Sequence, residues 1–126
     1  MIGLLLIANC LFLTNCYPYS VVLLHPLVRI AELEIDPAQL DVYKAALKEE
    51  IAASIRLEPG VLALYAVSIK GHPEQIRLFE TYRDIASYQA HLHSPHFLKY
   101  KTQTRLMVKS LTLLETDPIL LGSNLK

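Results

Sequence analysis

From Pro26 to Lys126 the chain contains no cysteine; both of its cysteines, Cys10 and Cys16, lie upstream. That absence excludes thiol catalysis, thiolate-held metal and disulfide stapling for this stretch. Neither sign of charge predominates, because 12 basic and 12 acidic residues cancel. No basic stripe interleaved with aromatics occurs, so nucleic acid is not an expected partner. No apolar run reaches the ~20 residues of a membrane-spanning helix. Charge itself is missing at the start, where nothing ionisable by Lys, Arg, Asp or Glu precedes Arg29.

What the first 25 residues do contain is apolar. Met1–Leu13 is interrupted only by Asn9 and Cys10 and suits the h-region of a signal peptide, although the usual positive n-region is lacking. Leu13-Thr14-Asn15-Cys16 resembles a bacterial lipoprotein signal, departing from it at Asn15, where a small residue is usual. The reading is a leader over 1–25, with Cys16 as the lipidated residue and the protein exported, periplasmic or anchored to a membrane. The alternative is a misplaced start ahead of a cytoplasmic domain. Residues 26–126 form one domain, long enough for a real core and too short for two.

Within that domain, Leu27–Ile35 alternates Glu32 and Glu34 against Leu33 and Ile35, which predicts a strand. Asp36-Pro37-Ala38-Gln39 predicts a helix start with a capping box. Leu40, Tyr43, Leu47, Ile51 and Ile55 form its apolar stripe, leaving Lys44, Lys48, Glu49 and Glu50 solvated. Pro59-Gly60 ends it. Val61–Ile69 and Gln75–Tyr82 predict a hairpin across Lys70-Gly71-His72-Pro73. Asp84 caps a short helix to Leu92, Pro95–Met107 predicts another, and Lys109–Thr116 a last strand. Ile119-Leu120-Leu121 keeps apolar character in the tail and is expected to pack.

The order β-α-β-β-α-β defines the ferredoxin-like split βαβ fold, an α+β arrangement with an antiparallel sheet and helices on one face. Val61–Val67 is apolar on both faces, whereas a sheet with one solvated face should alternate. A homodimer joined through the uncovered sheet face, of the dimeric α/β-barrel type, is therefore expected.

The densest chemistry lies in His91-Leu92-His93-Ser94-Pro95-His96-Phe97, with three of five histidines. Imidazole titrates nearest neutral pH, so the cluster concentrates proton-transfer capacity. Ser94-Pro95 predicts an N-cap and first helical residue, placing His96 in a first turn and His91 at the end of the preceding helix. His93 lies ~200° from His91 around a helix and points elsewhere. The same divergence, and the Pro95 break, argue against a three-histidine metal site. Glu80 sits mid-strand on an apolar face with Ile76, Leu78 and Tyr82, where a carboxylate is costly unless paired or facing a cavity. Its bland reading is an ion pair with Arg29, Arg77 or Arg83.

Four pieces in order, Val28–Ile35, Glu58-Pro59-Gly60-Val61, Phe79-Glu80-Thr81-Tyr82 and His91–Phe97, resemble the antibiotic biosynthesis monooxygenase domain, over roughly Leu27 to Thr116. The resemblance implies a cavity between sheet and helices, and a quinol or related electron-rich aromatic oxidised with O₂ without metal or other cofactor. His96, His91 and Glu80 become the expected catalytic residues, with Tyr65 and Tyr82 contacting substrate. An enediolate isomerase of a small hydroxy-ketone and a non-catalytic ligand-binding dimer are the alternatives. The haem-degrading branch of this fold resembles a Trp, Asn and His set; this chain has no Trp and no Asn between residues 16 and 123.

Overall fold

The computed structural model describes residues 25–124; the leader, with Cys16, lies outside the described residues. Strand β1 is Leu27–Ile35, followed by a 3-10 turn at Pro37–Gln39 and helix α1, Leu40–Leu57. Strands β2, Val61–Ile69, and β3, His72–Tyr82, form the hairpin. Helices α2, Ile85–Leu92, and α3, Pro95–Thr104, lead to β4, Val108–Glu115. The sheet order is β2-β3-β1-β4, with every neighbouring pair antiparallel. This is the expected ferredoxin-like arrangement, the second helix being split into α2 and α3; the sheet is open, not closed into a barrel.

Register sorts the side chains into rows. Leu64, Glu80, Arg29 and Glu115 lie side by side, as do Ala66, Leu78, Ala31 and Leu113, and Ser68, Ile76, Leu33 and Leu111. These rows face the helices. Ala31, Leu33, Ile35 and Ile76 meet Tyr43 and Leu47 of α1 and Tyr100 of α3 in one core. Burying Ile35 or Ile76 contributes roughly 1.5–3 kcal/mol each. The opposite face carries the row Tyr65, Phe79, Ile30, Leu114, and among the described residues no element covers it. Tyr65 and Phe79 are 50% and 43% exposed there.

Several local expectations change. Gln39 does not close a capping box, because the Asp36 amide already donates to Met107 O at 2.8 Å. Gln39 Nε2 donates instead to the Asp36 carboxylate, which also accepts from the Ala38 amide. The α1 stripe is rotated: Tyr43, Leu47, Glu50 and Ser54 are buried while Ile55 is half exposed. Glu50, expected in solvent, is 6% exposed. Strand β3 begins at His72, since Gly71 takes a positive φ of 84° and turns the hairpin tightly. Helix α3 stops at Thr104, whose carbonyl accepts the Met107 amide in a closing turn. Ile119 and Leu120, expected to pack, are almost fully exposed and Leu121 is half exposed among the described residues.

Candidate active site

Helix α2 begins at Asp84, whose side chain accepts from the Ser87 amide at 2.7 Å. It ends by placing His91 inward, 3% exposed. Ser94 then joins the two helices: its hydroxyl donates to His91 O and accepts from the Phe97 amide, and Pro95 opens α3. The corner therefore forms as the sequence indicates, and both His91 and His96 point at α1. His93 caps α2 at the surface, with Nδ1 on Gln89 O.

The carboxylate they meet is Glu58. Its Oε1 accepts from His91 Nδ1 at 3.0 Å and from His96 Nε2 by a very short bond. Glu58 is the C-cap of α1 and is held there by its own amide on Ser54 O. Gly60 makes the approach possible, because a Cβ at that position would lie 2.2 Å from Ser87 Oγ. Glu58-Pro59-Gly60 thus does more than stop a helix: it lets α2 sit against the turn that carries the carboxylate. Burial pushes the Glu58 carboxyl upward, but hydrogen bonds from His96 and His91 outweigh it and hold the group below its ordinary range.

A second carboxylate lies on the other side of His91. Glu50 Oε1 is 3.7 Å from His91 Nε2 and accepts from Ser54 Oγ at 2.6 Å. Burial raises this carboxyl despite the Ser54 hydrogen bond and the nearby imidazoles. Neither Glu50 nor Glu58 figured among the sequence candidates. The available signal was that Glu50 and Ser54 follow Tyr43 and Leu47 at helical spacing.

Glu80 faces the same interior without touching the histidines through a hydrogen bond; it accepts from Tyr82 Oη at 2.9 Å. None of the three arginines pairs with it: Arg29 goes to Glu115, Arg77 to Glu32 and Arg83 to Asp84. Tyr82 is wholly buried and its ring lies 5.4 Å from His91, so it stands behind the wall as support. Tyr65 projects from the uncovered face, across the sheet from the histidines. Substrate contact, expected of both tyrosines, does not follow from these positions.

Between the sheet and the α2–α3 layer lies a cavity of about 210 Å³. Ala31, Leu33, Leu78 and Phe97 give it apolar walls, and Glu80 and His91 give it polar ones. His96 is not on its lining; it reaches the cavity only through Glu58 and His91. Tyr100 completes the wall, its hydroxyl 2.6 Å from that of Tyr43, and burial pushes its pKa up to about 12. The arrangement gives one histidine at the cavity, held by the Glu58 carboxylate on Nδ1, which leaves Nε2, 3.7 Å from Glu50, as its acceptor nitrogen.

Among the described residues, Glu50, His91 and His96 also offer ligand atoms within 4.8 Å of one another. Two imidazoles and a carboxylate are a donor set that zinc accepts. In the sequence only Glu80 stands out as a neighbouring carboxylate and no metal is expected; the fold brings Glu50 here instead. An ion at this point would compete with the protons that now join both rings to Glu58.

An antiparallel sheet with helices on one face and an interior His–Glu site defines an α+β protein of the ferredoxin-like class. Residues 26–103 match the family model for antibiotic biosynthesis monooxygenase, and the chain belongs to that family. A crystal structure from Bacteroides thetaiotaomicron VPI-5482 carrying the same name is 46% identical, with TM-score 0.77, over 81% of this chain and 97% of that one. Like-named structures from Nitrosomonas europaea and Caulobacter crescentus CB15 are 20% and 15% identical, with TM-scores of 0.71 and 0.72. They cover 75% and 76% of this chain, and 91% and 92% of their own, and show the fold alone. No curated protein matches the chain.

Proposed function

We propose that the protein is a cofactor-independent monooxygenase that oxidises a quinol or related electron-rich aromatic with O₂. The observation that carries this reading is His91 on the cavity wall with its Nδ1–H committed to Glu58. That hydrogen bond fixes the tautomer, so Nε2 can take a proton from a phenolic hydroxyl. Glu80 receives the substrate's second hydroxyl, and Tyr82 holds Glu80. His96 acts through Glu58, keeping the carboxylate ionised and aimed. The deprotonated aromatic delocalises its charge and passes electrons to O₂. For a quinol the balance closes without another reductant: quinol plus O₂ gives hydroxyquinone plus water, one oxygen atom entering the ring.

Oxygen-electrode rates with a panel of quinols test this. Uptake above autoxidation that is lost in His91→Gln supports it; uptake never above autoxidation sinks it. Conversion of a hydroxy-ketone without oxygen consumption would favour the isomerase instead, and ligand binding unaffected by His91→Gln would favour a non-catalytic module.

The assembly belongs to the proposal too. The uncovered row Tyr65, Phe79, Ile30 and Leu114 is apolar across all four strands, which suits burial against the same face of a second copy. Phe79→Lys should then convert a dimer in light scattering to a monomer. For the leader, the reading is export with Cys16 lipidated: Cys16→Ser should move the protein from the membrane fraction to the soluble one, and an unchanged distribution would refute anchoring.

A further inference from the structure

The 210 Å³ cavity has a larger neighbour on its α3 side. It shares Leu33, Tyr100, Lys101 and Leu111 with an open groove of about 690 Å³ between α3 and β4. The groove is lined by Lys101, Arg105 and Lys109, and no carboxylate lines it. In a chain of zero net charge, three cations without an acid form a local asymmetry. Other basic residues on these elements behave differently. Lys99, two residues before Lys101, is paired with Glu49. Arg29 on β1 and Arg77 on β3 also have carboxylate partners. Lys101 and Arg105 have none among the described residues. Lys109 feels Asp36, but that carboxylate is already occupied by the Ala38 amide and Gln39. The Thr102 and Thr104 hydroxyls are spent on backbone carbonyls of α3, so the groove's polar character comes from its three cations.

We propose that this groove is a specificity site for an anionic substituent, so that the substrate is a phenol or quinol carrying a sulfonate, carboxylate or phosphate remote from its reacting hydroxyl. This deepens the oxygenase reading and rests on it for the identity of the aromatic part. The geometry sets the ligand's shape. The hydroxyl goes to the His91 and Glu80 end, the ring lies among Ala31, Leu78 and Phe97, and the anion emerges past Lys101 towards Arg105 and Lys109. A guanidinium and two ammoniums supply charge-assisted donors for such a group. Positive residues at the end of α3 also favour the helix macrodipole. That structural role makes no distinction between ligands, and the test exploits the difference.

Isothermal titration of the full chain with a naphthol, and with the same naphthol sulfonated on the ring remote from its hydroxyl, separates the two. The sulfonated ligand should bind about tenfold or more tightly, the scale of two or three partly screened charge pairs. Salt should erode that advantage, because the groove is open to solvent. In the triple variant K101Q/R105Q/K109Q the advantage should vanish while the neutral naphthol binds as before; K101R alone should keep it. Circular dichroism confirms that α3 survives. Equal binding of the two ligands by the parent, or an advantage that persists in the triple variant, overturns the inference. Binding is read without turnover, so a charge preference with no oxygen uptake would refute the oxygenase reading and leave the anion site standing.

Discussion

Glu58→Gln isolates the one group that touches both inward histidines. The replacement keeps the shape and removes the charge. In the parent, Oε1 accepts from His91 Nδ1 at 3.0 Å and from His96 Nε2. In the proposed oxidation His91 becomes imidazolium on taking the substrate proton, and the ionised carboxylate would stabilise that charge. Hydrogen bonds to charged groups contribute ~1.5–3 kcal/mol, and neutral ones ~0.5–1.5. Losing the charge on two such bonds costs about 2–3 kcal/mol in the transition state, or about 30- to 150-fold in kcat. Glu58 is not on the cavity lining, so KM should stay within about twofold. Oxygen-electrode initial rates, corrected for autoxidation, give both parameters. The pH dependence of stability supplies a second readout. The folded Glu58 carboxyl lies below its ordinary value, so its stabilisation is complete above that value and is lost as pH falls towards the folded pKa. Glu58→Gln should flatten that acid limb in thermal melts. An unchanged kcat, or a loss confined to KM, would refute the assignment of Glu58 as the group that orients His91.

Glu50→Gln should act in the opposite sense. Burial raises the Glu50 carboxyl, so its contribution favours folding at low pH and declines as pH rises through the folded pKa; the variant should melt higher than the parent at pH 8 and lose that margin near pH 4, and a lower melting point at pH 8 would contradict it. Gly60→Ala forces a Cβ into Ser87, and should cost about 1–3 kcal/mol. Denaturant unfolding measures the loss, and a neutral effect would mean that α2 does not need its close seat on the Glu58 turn. Dialysis against a chelator should leave oxygen uptake within about twofold, whereas excess zinc should inhibit by competing for His91; activity lost on chelation and restored by a metal would replace the proton-transfer reading with a metal-dependent one.

Element order, and most element boundaries, follow from local chemistry that needs no tertiary knowledge. Asp84 and Ser94 cap helices because their side chains reach amides two or three residues away, and Pro95 starts α3 because its φ is already helical. The sorting of His91 inward and His93 outward follows from helical periodicity in the same way. Where the chain is read only for polarity, the reading fails: Glu50 carries a charge and looks solvated, yet the α1 row that it shares with Tyr43 and Leu47 is the buried one.

By itself, then, the sequence determined the split βαβ order, the two-faced apolar strand and the histidine corner, since each depends on spacings of a few residues. Tertiary structure decided which carboxylates serve that corner. Glu58 stands 33 positions from His91, and Glu80 is much nearer in the chain. Gly60 admits α2 against the end of α1, and Tyr82 takes Glu80 for itself. His91 rather than His96 reaches the cavity for the same reason. Partners across a fold are set by which backbones approach closely, and no local spacing records that approach.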